Sequence, residues 1–173
     1  MMLRPLSGIE EGIASLSRDL GVALPAGERA ELARLWREAC RRTRLFEDVP
    51  RSLKRLSARY RLGLLSNTQS FDLEFLDEGT PGSLLRARLL SCHAGLLKPD
   101  PALFLRMAGM LQLEPSEILM VGDSLRDDVL GSEAVGMQAV LIRRQEAPLS
   151  FREPHPGRVP IRALAPLLEA LGA

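Results

Sequence analysis

Three carboxylates, Asp123, Asp127 and Asp128, fall within six positions directly after the apolar run Ile118-Leu119-Met120-Val121. Like charges that close repel one another unless a cation or a basic group lies between them. Four consecutive apolar residues read as a strand buried on both faces, as in a parallel sheet. Gly122 then allows a sharp turn, and Asp123 emerges at the strand's C-terminal end, the edge where open α/β sheets place their ligands. A plainer reading has Asp123 or Ser124 cap the next helix while Asp127 and Asp128 face water.

Two further motifs occupy equivalent places. Leu62-Gly63-Leu64-Leu65 reads as a short strand ending in Ser66-Asn67-Thr68, and Leu89-Leu90-Ser91-Cys92 as a weaker one, followed by Gly95-Leu96-Leu97-Lys98. Only two of the 23 basic residues, Lys54 and Lys98, are lysine, which gives Lys98 added weight. In a parallel sheet all three motifs reach one edge. A hydroxyl, an ammonium and a set of carboxylates there form a phosphate site with a divalent metal: the first two orient phosphoryl oxygens and the carboxylates hold Mg²⁺.

The elements that must position them begin with helices. Ser7 and Glu10 have capping-box spacing ahead of a helix to about Leu20, which Gly21 ends. Pro25 opens a second helix to about residue 43, whose stripe of Leu32, Leu35, Trp36, Ala39 and Cys40 is read as core. A short basic helix covers 51–60. From residue 62 strands alternate with helices, the pattern of a parallel α/β sheet. Asp100 caps a helix begun by Pro101 and running to about Leu113. A strand at 117–122 and a helix to about Val135 follow. Gly136 ends that helix ahead of a strand at 138–142, a proline-rich loop at 148–160 and a terminal helix at 161–172.

Composition bounds the function. The 173 residues suit one domain, or one domain carrying a small appendage, and 46% hydrophobic residues suits a buried core. No run of eighteen apolar residues or signal-peptide core occurs, and two cysteines fit a reducing compartment, so cytoplasm is the expectation. A net charge of +1 argues against a strongly basic nucleic-acid binder, although residues 1–61 carry +5 and residues 62–173 carry −4. A solvated helix face is the favoured explanation of that basic excess over an anionic partner. His93 is read as packed or hydrogen-bonded and His155 as solvent-facing. Cys40 and Cys92 lack the spacing of a zinc or thiol site.

The motifs Leu64-Leu65-Ser66-Asn67-Thr68, Gly95-Leu96-Leu97-Lys98-Pro99-Asp100-Pro101 and Val121-Gly122-Asp123-Ser124-Leu125-Arg126-Asp127-Asp128-Val129-Leu130-Gly131, with Ala134-Val135-Gly136-Met137 beyond, resemble the haloacid dehalogenase (HAD) superfamily. The resemblance covers about residue 46 to the end, with residues 1–45 similar to part of a small helical cap. It implies a Rossmann-like parallel sheet and a hydrolase of phosphoric monoesters. Ser66 and Lys98 would be catalytic, Ser66, Asn67 and Lys98 would bind phosphate, and Asp123 with Asp128 or Asp127 would hold Mg²⁺. The substrate would be a small phosphorylated metabolite. The acidic third motif favours a metal-dependent phosphatase over a dehalogenase.

One part of that pattern is missing. The family's reaction uses an Asp-x-Asp pair at the end of a central first strand, nucleophile and proton donor, and no Asp-x-Asp occurs in these residues. Phe71-Asp72-Leu73-Glu74-Phe75 resembles it superficially but is read as helix. The missing strand would lie between those ending at Ser66 and Asp123. Without it the two either close up and pair, or another segment fills the slot, or the chain is part of a longer one. Little or no turnover is therefore expected from this chain alone, and the alternative is a non-catalytic phosphate- or metal-binding protein on the same fold. A homodimer or a missing N-terminal segment is the expected partner. A receiver-domain reading fails, since receivers place their acceptor aspartate before the hydroxyl and the lysine.

Overall fold

In the computed structural model of the protein, residues 3–76, 80–144 and 160–172 are described. Helices α1 (Ile9–Asp19) and α2 (Ala26–Arg42) form a hairpin, and α3 (Asp48–Ser57) follows. Strand β1 (Leu62–Ser66) runs into a 3₁₀ turn at Ser70–Leu76 and a single helical turn α4 (Thr80–Ser83). Then come β2 (Leu85–Leu90), the short α5 (Ser91–Ala94) and α6 (Pro101–Leu111). Next are β3 (Leu119–Gly122), a π-helical turn at Leu125–Leu130, the single turn α7 (Gly131–Glu133), β4 (Gln138–Leu141) and α8 (Ala165–Ala170). The proline-rich loop expected at 148–160, with His155, lies almost wholly outside the described residues.

The strands are parallel, as the alternation of strands and helices requires. They form two separate ladders: β1 pairs with β2 and β3 with β4, and no backbone ladder joins β1 to β3 among the described residues. The two strands flanking the slot therefore have not closed up. This alters the reading of 118–121 as doubly buried. Each residue of β3 is only half-buried, since among the described residues β3 has a ladder partner on one side alone. The second strand also starts earlier than expected, at Leu85. Ser91 and Cys92 belong to a helical turn instead, and His93 on that turn is exposed rather than packed.

Helix α6 assembles the larger core. Asp100 accepts from the Ala102 N–H at 2.9 Å and Pro101 sets the first helical φ, the start expected from sequence. The helix buries Leu103, Phe104, Met107, Ala108 and Leu111 against Leu65, Ala87 and Leu89 of β1 and β2, with Met137. Each large side chain so buried contributes about 1.5–3 kcal/mol. Glycine at 63 permits the close approach, since a Cβ there would lie 2.8 Å from Met107 Sδ. A smaller cluster of Leu125, Val129 and Leu141 sits beside β3 and β4. Phe104 serves both halves: its ring fills the space over Gly131, where a Cβ would meet it at 2.9 Å.

The first helix begins differently from its sequence pattern. Gly8 is the capping residue, and Ser7 donates its N–H and hydroxyl to Glu11, not Glu10, at 2.7 and 2.9 Å. The Ser7 N–H and Arg4 hold the Glu11 carboxyl down to about 2, while Glu10 pairs with Arg37. The second helix departs further. Its only fully buried residue is Ala33, while Trp36 and Cys40 are half-buried and Leu32, Leu35 and Ala39 face solvent. A stripe at helical spacing shows which residues share a face, not what covers that face.

Most of the basic excess is used within the chain. Arg61 donates to the carbonyls of Leu111 and Gln112, satisfying the C-terminal end of α6. Arg59 and Tyr60 hold the carbonyls of Gly172 and Leu171 beyond α8. Arg34 pairs with Glu31 and Glu38, and Arg42 with Glu38.

Asp48 ties the start of α3 to the far end of the chain. It accepts from Arg144 and, at 2.8 Å, from the Leu164 N–H, while Arg144 stacks over the Phe46 ring. Burial pushes the Asp48 carboxyl up, but the Leu164 N–H and the Arg144 guanidinium outweigh it and hold it below the ordinary aspartate range. With the folded value depressed, this stabilisation is present above the unfolded value of about 3.9 and is lost as pH falls through the folded one. Asp48→Asn is expected to cost about 2 kcal/mol in urea unfolding at pH 7, a difference that shrinks below pH 4.

Candidate phosphate and metal site

Asn67, at the end of β1, does not point freely into a pocket. Its side-chain amide donates to the Lys98 carbonyl at 3.1 Å and its oxygen accepts from the Lys98 N–H at 2.8 Å. The two bonds fasten the Lys98 backbone to the end of β1, just ahead of the cis Lys98–Pro99 peptide. From that anchor the Lys98 ammonium donates to the Leu65 carbonyl at 3.2 Å and to Asp128 Oδ1 at 2.6 Å. Lys98 and Asp128 side chains are 11% and 4% exposed, so this ion pair is largely desolvated.

Asp128 is held from its other side as well. Its Oδ2 accepts from the Ser124 N–H at 3.0 Å, while Ser124 Oγ accepts from the Asp127 N–H at 3.0 Å. The capping reading of Ser124 thus holds, and Asp128, expected on that same reading to face water, is buried. Gly122 makes room for it. An added Cβ at 122 would lie 2.3 Å from Asp128 Cγ, so close approach rather than an unusual backbone turn requires glycine there.

The structure therefore brings Asn67, Lys98 and Asp128 into direct contact, with Ser124 completing the set. Ser66 ends β1 half-buried in register with Leu90, Asp127 is half-buried, and Asp123 is exposed just past β3. Among the described residues no three His, Cys, Asp or Glu side chains gather as a ready metal cluster. The donors still suit Mg²⁺ in kind, because that ion is commonly held by one or two carboxylates with water and phosphate oxygens. Asp123 is exposed at the strand end, while each Asp128 oxygen accepts one hydrogen bond and keeps a second lone pair.

Asp72 has a separate role. It lies on the 3₁₀ turn after β1, as its sequence context implied, and accepts from Trp36 Nε1 at 3.1 Å, Thr68 Oγ1 at 3.0 Å and Cys40 Sγ at 3.7 Å. With the edge-on contact of Trp36 and Phe71, it joins α2 to the end of β1. Gln69 is a second joint that sequence reasoning missed: fully buried, it bonds the Leu6 N–H and the Arg4 carbonyl. Nothing in its local sequence distinguishes it, since its partners lie more than sixty residues away.

Residues 96–156 match the HAD-hydrolase-like family model. The chain has a HAD-like fold. Its fold agrees with a HAD phosphatase from Thermococcus onnurineus at a TM-score of 0.66 and 23% identity, covering 95% of this chain and 88% of that one. It agrees equally with an L-2-haloacid dehalogenase from Xanthobacter autotrophicus at 0.69 and 21%, covering 95% and 74%. Glyceraldehyde 3-phosphate phosphatase from Methanopyrus kandleri is 39% identical over 56 residues, 32% of this chain and 24% of the relative. Phosphoserine phosphatase from Thermus thermophilus is 39% identical over 56 residues, 32% and 22% of the two chains. These matches span about a quarter of each curated relative.

Removing one partner of the buried Lys98–Asp128 pair strands a charge. Lys98→Ala should cost about 3–5 kcal/mol in denaturant unfolding, and adding Asp128→Asn should recover part of that loss. Equal, additive losses would mean that the pair is not coupled.

Proposed function

We propose that this chain carries the phosphate- and Mg²⁺-binding portion of a HAD-type phosphohydrolase acting on a small phosphorylated metabolite. The observation that supports this most directly is the Lys98 ammonium, fixed where β1 ends and beside the turn that follows β3. An ammonium has three donors. Among the described residues two are engaged, by Leu65 and Asp128, which leaves the third for a phosphoryl oxygen. Ser66, at the end of the same strand, supplies a hydroxyl donor.

In this reading Asn67 contributes chiefly by fixing Lys98, and Asp128 by holding the ammonium in place. Asp123, with Asp128 or Asp127 completing or orienting the shell, would hold Mg²⁺, which supplies positive charge against the phosphoryl oxygens when bound. Attack on phosphorus requires a nucleophile that these residues do not supply, for Asp72 is committed to Trp36, Thr68 and Cys40. The chain alone is accordingly a binding unit, which is also how the non-catalytic alternative would behave.

With an aryl phosphate and Mg²⁺, the 173-residue chain should release phosphate no faster than buffer. Calorimetry should give heat for inorganic phosphate with Mg²⁺, reduced at least about tenfold in affinity by Asp123→Asn. Turnover surviving Asp123→Asn would refute the metal assignment, and no heat for either ion would refute the binding reading.

A further inference from the structure

Helix α2 carries a second, unrelated surface. Glu28, Leu32, Leu35, Ala39 and Arg42 follow one another at steps of four, three, four and three, the spacing of a coiled-coil seam. All five are exposed, Leu32 at 42% and Leu35 at 47%, while Ala33 and Trp36 turn the other side of the helix inward. A seam-like row is thus left uncovered by the described residues. Leu16 on α1 and Leu20 just past its end are also exposed, at 43% and 66%.

The ends of the row identify what fits it. Glu28 stands at the N-terminal end and Arg42 at the C-terminal end, each seven residues from Leu35. A second α2 lying antiparallel about Leu35 brings Glu28 of each copy to the Arg42 end of the other. A parallel arrangement would instead set Glu28 against Glu28 and Arg42 against Arg42. The row is self-complementary under a two-fold axis, as an isologous interface requires. Glu28 has no salt-bridge or hydrogen-bond partner among the described residues. Arg42 pairs only with exposed Glu38 on its own helix, which leaves most of its five donors for a second carboxylate. We propose that α2 is a homodimer interface, with two copies packed antiparallel through Leu32, Leu35 and Ala39 and locked by reciprocal Glu28–Arg42 pairs.

A helix of 17 residues gives only a short seam, so the dimer should be weak and concentration-dependent. Sedimentation velocity of the full chain from roughly 5 to 200 µM should show monomer passing to dimer. Leu35→Arg should shift association at least about tenfold weaker with the circular dichroism spectrum unchanged, since Leu35 supports no core. Glu28→Arg should weaken it too, and Glu28→Arg with Arg42→Glu together should restore it, because the swapped charges still meet across the two-fold. Four results would overturn the proposal: a monomer throughout that range, a dimer indifferent to Leu35→Arg, a double variant no better than Glu28→Arg, or a monomer that pellets with anionic lipid vesicles. The last would assign the face to a membrane surface.

Discussion

A single buried ammonium organises the centre of this molecule. Lys98 reaches from the end of β1 to the turn after β3, and no backbone ladder does the same among the described residues. The cost of desolvating it is offset by a carboxylate at 2.6 Å and a backbone carbonyl, and its own backbone is pinned by both ends of the Asn67 amide. Such a pair adds little net stability over an apolar replacement, but it is costly to break in half. Its consequence is placement: an ammonium with one donor uncommitted among the described residues is fixed at the sheet edge.

Around that pair the two halves are joined by packing. Phe104 sits in the α6 core and also closes over Gly131, so one ring is shared by the parts built on β1–β2 and on β3–β4. Glycines at 63, 122 and 131 each mark a place where a methyl group would collide with Met107, Asp128 or Phe104. Space limits these positions, since none of the three has a positive φ. The arginine-rich first third of the chain is likewise structural in large part. Arg61 and Arg59 satisfy carbonyls at helix ends, Arg37 meets Glu10, and Arg34 and Arg42 meet Glu31 and Glu38. Where the sequence suggested a solvated helix face, these arginines are engaged within the chain.

Much of the scaffold was legible because its signals are local. The Asp100-Pro101 start of α6, Gly21 and Gly136 after their helices, and the short strands before Ser66 and Asp123 depend on neighbours a few residues away. What was misread depended on coverage. Leu32, Leu35 and Ala39 looked like core because they share a face, and nothing in α2 itself says that the body of the protein lies on the Ala33 side. His93 and the half-buried β3 failed for the same reason.

The sequence by itself determined the parallel α/β class, the order of its motifs, and the absence of an Asp-x-Asp pair from these residues, because these are matters of residue type and short spacing. Only the tertiary structure decided how those residues are used. It turned Asn67 into a clamp, paired Lys98 with Asp128 and left Asp123 exposed, and it committed Asp72 to Trp36 thirty-six positions away. A carboxylate's role is set by the charge, donors and solvent around it. Those surroundings come from segments far apart in the chain, which local sequence does not encode.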